Sequence, residues 1–186
     1  MALTRLVING YGQLELNNVA FRRDGRIEAQ CKLDDTAFAS VPAENGMLLA
    51  VDNVNRVIKF AAEDASLPIA LNYTSEHIYD ERTPGLKNFK LERGTFLPRL
   101  GYLSVGDKFT TNCVSYDSSD STWTTEAEFI KALGAIGTTP LYGGISTNGS
   151  IKVSATAPNV GPKLLVIAKT TMPDGQLGVK FQVVVA

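Results

Sequence analysis

The stretch RLGYLSVGDKFTTN, positions 99 to 112, carries Gly101 and Gly106 with four residues between them and Lys108 shortly after. A phosphate-cradling loop needs lysine directly after its second glycine, then Ser or Thr, then a helix whose N-terminus faces the anion. Asp107 stands where that lysine belongs, and Phe109 follows Lys108. A carboxylate there repels phosphate, and the β-branched and aromatic residues beyond it favour a strand. The segment reads as a turn entering a strand, and no nucleotide cofactor is expected.

The other chemistry-bearing residues give no constellation either. His77 is the single histidine, which removes paired-histidine metal sites. It lies in the polar stretch SEHIYDER, with no G-x-S-x-G elbow anywhere in the chain, so it reads as a solvated loop residue. Cys31 and Cys113 lack C-x-x-C spacing and sit in apparent strands, as buried small apolar residues do. Asp34-Asp35, Glu63-Asp64 and Asp80-Glu81 are adjacent carboxylate pairs, the only catalytic option left. Sequence neighbours on a strand face opposite ways, and all three pairs look loop-borne and solvated. Asp52, Asp117 and Asp120 fall in apparent turns, but no D-x-D-x-D-G loop supports calcium. Trp123 precedes a predicted helix and is expected to pack against it, while Tyr73, Tyr79 and Tyr102 flank loops that could form a binding face. Asn72 and Asn148 head glycosylation-like triplets that carry no weight without a secretion signal. No catalytic, cofactor-binding or metal-binding residue is assigned, and no enzyme activity is expected.

Composition narrows the partners. The formal charge is −1, from 18 basic and 19 acidic residues. Such a balance offers no cationic excess to displace the counterions of a nucleic-acid backbone, so no nucleic-acid partner is expected. Apolar runs such as LLVIA (164 to 168) are far shorter than the roughly 18 residues of a spanning helix. No membrane partner is expected, and the opening MALTRLVINGYG does not read as a secretory signal. Synthesis and folding in a cytoplasm follow as the expectation.

The elements that would position these residues are mostly short strands broken by turns, which predicts a mainly β protein. LTRLVI runs into Asn9-Gly10, VAFRR and RIEAQCKL flank Asp24-Gly25 as a hairpin would, and GMLLAV, RVIKFAA, LPIALNYT and KNFKLER are further strand candidates. The one strong helix pattern is TTEAEFIKALGAIG, around 125 to 136. Thr125 and Glu128 make a capping box there, and Phe129, Ile130, Leu133 and Ile136 form one apolar face. SIKVSAT, KLLVIAKT and GVKFQVVVA follow as strands, the last two joined through Pro173-Asp174-Gly175. A change of character near residue 95 suggests two small β-rich domains, barrel or sandwich-like, at 1–95 and 96–186, the second with the helix.

The segments FLPRLGYLSVGDKFTTNCVSYD, TEAEFIKAL, TPLYGGISTNGSIKVS and TMPDGQLGVKFQVV, spread over residues 96 to 186, together resemble a family of tailed-phage virion proteins described as head decoration or head-fibre proteins. The resemblance implies a non-enzymatic structural protein on the capsid surface, made in the host cytoplasm. Its implied partner is the major capsid protein, with self-association into a homo-oligomer left open. A β-rich tail, baseplate or fibre module that binds a host surface polymer is the alternative. Residues 1–95 carry no part of the resemblance.

Overall fold

The structure, a computed structural model, describes residues 3–61, 66–75, 85–95, 97–118 and 123–186. In chain order the elements are β1 (Leu3–Arg5), β2 (Leu14–Asn18), helix α1 (Ala20–Asp24), β3 (Ile27–Glu28), β4 (Lys32–Leu33), β5 (Leu48–Asp52), β6 (Val57–Phe60) and β7 (Ile69–Asn72). Then come β8 (Leu100–Gly101), β9 (Lys108–Thr111), β10 (Val114–Asp117), helix α2 (Glu126–Leu133), β11 (Tyr142–Gly144), β12 (Ile151–Ser154), β13 (Lys163–Thr171) and β14 (Leu177–Val185). The protein is mainly β, with its strands in two sheets.

The larger sheet runs β1-β10-β12-β11-β13-β14-β9-β2. Strands β9 and β10 stand five places apart in that order, which in a flat sheet would separate them by about 24 Å. Yet only Asn112 and Cys113 join them, and three residue steps reach about 11 Å at most. The sheet therefore curls so that β9 and β10 come together at this corner, with β1 and β2 left as its edges. The segment between β1 and β2 straddles the same place: Leu6 N–H donates to Val114 O (2.9 Å), and Thr111 Oγ1 donates to Gln13 O (2.6 Å). Alternate residues line the enclosed core: Val114 and Tyr116, Ile151 and Val153, Leu164 and Val166, Val179, Phe181 and Val183. Helix α2 adds Phe129 and Leu133 to this core, and Phe129 stacks on Tyr116 at 4.9 Å.

The smaller sheet, β3-β8-β7-β5-β6-β4, curls by the same logic. Its edge strands β3 and β4 are separated in sequence only by residues 29–31, a reach of about 14 Å against about 24 Å for a flat sheet. The turn is built locally, because the Glu28 carboxylate accepts the N–H groups of Gln30 (2.6 Å) and Cys31 (3.0 Å). This is why RIEAQCKL, which reads as one strand, is two. Its core holds Leu33, Phe38, Met47, Leu49, Val51, Ile58, Phe60 and Leu100.

The two cores share a wall. Every residue of β5 is buried. Leu48 and Leu71 face the larger core, while their neighbours Leu49 and Ala70 face the smaller one, as the period of two requires. A line drawn at residue 95 does not separate the sheets. Strands β1 and β2 belong to the larger sheet, and β8 sits in the smaller one between β3 and β7.

Local readings differ in three further places. VAFRR does not begin a hairpin: α1 occupies it, Phe21 is buried, and Gly25 (φ 69°) ends the helix with its N–H on Phe21 O. Asp-Gly supplies positive φ to a helix end as readily as to a turn. KNFKLER is not a strand but a 3-10 turn at Leu86–Asn88, followed by a single bridge from Leu91 to Ala43. Strand β11, centred on Gly143-Gly144, carries no β-propensity signal. A Cβ on Gly143 would lie 2.7 Å from the Ile151 side chain, so close packing against β12 demands the glycine.

Candidate functional site

Gly106-Asp107 is a turn leading into β9, as its sequence predicts. Asp107 is buried, and its carboxylate accepts the backbone N–H of Ala20 (2.8 Å) and of Ser104 (2.9 Å). Helix α1 has no side-chain cap of its own at Val19, so Asp107 supplies an acceptor from far along the chain.

The cysteines are buried, free thiols. Burial pushes Cys31 up to about 11 and Cys113 up to about 12, so both are protonated at neutral pH. Asp34 accepts the N–H groups of Thr36 and Ala37 in its own turn, and Asp35 pairs with Lys32 at 2.9 Å. Asp52 accepts from the backbone and side-chain nitrogens of Asn55 and faces Lys59 at 3.4 Å. Asp117 faces Lys152 at 3.0 Å. Both end strands, where their partners are cations and amides. Among the described residues no group of three or more His, Cys, Asp or Glu is placed to hold a metal ion. His77, Tyr79, Glu63-Asp64, Asp80-Glu81 and Asp120 lie outside the described residues. Trp123 packs as expected: it is buried, with its ring 5.4 Å from that of Phe129. Asn72 is also buried and donates to Glu44 O.

Two arrangements escape sequence reading. The first is a buried carboxylate, Glu44, that accepts both terminal nitrogens of Arg5 and the N–H of Gly12. It ties β1 of the larger sheet and the β1–β2 connection to the segment entering β5. Its partner is distant in sequence, so no local pattern announces it.

The second is a cleft of about 400 Å³ lined by Leu14, Leu16, Arg22, Ile27, Asn45, Tyr73, Thr74, Ser75 and Arg99. Helix α1 positions Arg22, and the strand-like approach to β8 positions Arg99. The backbone beneath is fixed by a short network. Tyr73 N–H donates to Arg99 O (3.0 Å), Arg99 N–H to Thr74 Oγ1 (2.9 Å), Thr74 Oγ1 to Asn72 Oδ1 (2.7 Å) and Asn45 Nδ2 to Thr74 O (2.9 Å). Tyr73 rests on Phe21, ring centres 4.9 Å apart. Burial raises its hydroxyl above the ordinary tyrosine value, and the charges of Arg99 and Arg22 oppose that rise. Among the described residues neither guanidinium forms an ion pair and no carboxylate lines the cleft. Of the tyrosines expected on a binding face, Tyr73 lies here and Tyr102 lines a separate cleft with Arg26, Leu67 and Pro68. Arg22 goes unseen in the sequence because FRRDGR reads as a hairpin, whose side chains would point elsewhere.

Against protein-family models, curated proteins and solved structures, the chain finds no match.

Proposed function

We propose that this chain is a non-enzymatic structural protein of a bacteriophage virion that decorates or cements the capsid by binding the major capsid protein. The observation that carries the reading is where the resembling segments fall. They supply β9, β10, α2, β11, β12 and β14, which pack around the larger core, together with β8 of the smaller sheet, so most of the likeness falls on one packed core. A second feature supports it. The two sheets are joined through β5 and β7 and through the Arg5–Glu44 pair, and a body clamped onto a shell gains from such packing, since little order is lost on binding.

The test is co-sedimentation of the purified chain with shells assembled from the major capsid protein of the same phage. Saturable binding at many copies per shell is expected. A chain that stays in the supernatant at all concentrations overturns the reading.

A further inference from the structure

We infer that the cleft between β2 and residues Tyr73–Ser75 binds an extended acidic segment of a protein partner, with Arg22 and Arg99 holding its carboxylate. This deepens the capsid reading by naming the chemistry of the contact, and to that extent rests on it.

Charge is the first argument. Two guanidinium groups border one cleft, both exert a field at the Tyr73 hydroxyl, and no carboxylate among the described residues lines the cleft. Arginine presents a planar fork of donors that matches a carboxylate in a two-bond geometry. Tyr73 and Ser75 also line the cleft, and their hydroxyls can serve as further donors.

Shape and edge chemistry decide what kind of acid enters. One wall is aliphatic, made by Leu14, Leu16 and Ile27, all half-buried and packed on the larger core. Two of these belong to β2, which is the edge of its sheet and is paired only with β9. An extended peptide can add to such an edge through its main chain while alternate side chains meet the wall. An acidic sugar fits less well. Sugars are held on open aromatic faces, and the one aromatic ring here is packed against Phe21.

The test follows the Nε–Hε resonances of Arg22 and Arg99, and the amides of β2, in the full chain. The probe is a short capped peptide alternating valine and glutamate. Parallel titrations use the glutamine version, inorganic phosphate and trigalacturonate. The glutamate peptide is expected to shift both arginine signals and the β2 amides, and the glutamine version to bind about tenfold more weakly or worse. Arg22→Ala and Arg99→Ala, both at exposed side chains, are each expected to weaken the peptide about tenfold.

No response to the peptide, equal affinity in both variants, or binding of phosphate or trigalacturonate without the peptide would each overturn the inference. Shell binding separates it from the broader reading. If the peptide binds and shells do not, the cleft stands and the capsid role falls. If shells bind the wild type and both arginine variants alike, the capsid role stands and the cleft falls.

Discussion

Asp107 occupies the position at which a phosphate loop would carry lysine, and its carboxylate satisfies two backbone donors instead. Replacing it with alanine leaves the N–H groups of Ala20 and Ser104 without their acceptor, which should cost about 2–4 kcal/mol. A urea midpoint unchanged in Asp107→Ala would contradict that role. The thiols make a second prediction at this scale. With both pushed to about 11 or above by burial, native protein should react with Ellman's reagent only as fast as it opens, whereas denatured protein reacts at once. Rapid reaction of either native thiol would contradict their burial. Sequence alone conveys that these cysteines are interior, because they sit in apolar, β-prone runs. It does not convey Glu44, since a buried carboxylate looks like any surface glutamate until Arg5 and Gly12 fold onto it.

Among the elements, α2 is the most legible, because its signal is local. Thr125 Oγ1 accepts Glu128 N–H (3.3 Å), and the Glu128 carboxylate accepts Thr125 N–H (3.1 Å), Thr124 N–H (2.8 Å) and the Thr124 hydroxyl (2.9 Å). These donors hold the Glu128 carboxyl below its ordinary value of 4.5. A lowered folded value means the stabilisation is complete above pH 4.5 and fades as pH falls through the folded value. Glu128→Gln should therefore unfold at lower urea than wild type at pH 7, with the gap narrowing in acid. A gap that stays constant down to pH 2 would refute the charge's part in the cap. Helix α1 and strand β11 are illegible for the opposite reason. Phe21, Gly101 and Gly143 are chosen by what touches them from distant strands, and a Cβ at Gly101 would lie 2.5 Å from the Phe21 ring.

For the molecule as a whole, β content and turn positions were readable because alternation and Asn-Gly or Asp-Gly pairs are local signals. Sheet membership was not. The pairings β1 with β10 and β2 with β9 join residues about a hundred positions apart, so composition near residue 95 gives no sign of them. A physical consequence follows for the two halves. The fragment 96–186 lacks both edge strands of the larger sheet, and the fragment 1–95 lacks β8, which joins β3 to β7. Neither fragment alone should show the cooperative urea transition of the full chain by circular dichroism. A sharp, native-like transition in either one would mean that half is self-sufficient.

At the same scale lies the proposed role itself: a two-sheet body that covers a capsid in many copies. Cryo-electron microscopy of the intact phage particle tests it most directly. The account predicts density matching both sheets at symmetry-related positions across the head, seated on the major capsid protein. Density confined to the tail tip, or a head surface bare of this chain, would contradict it.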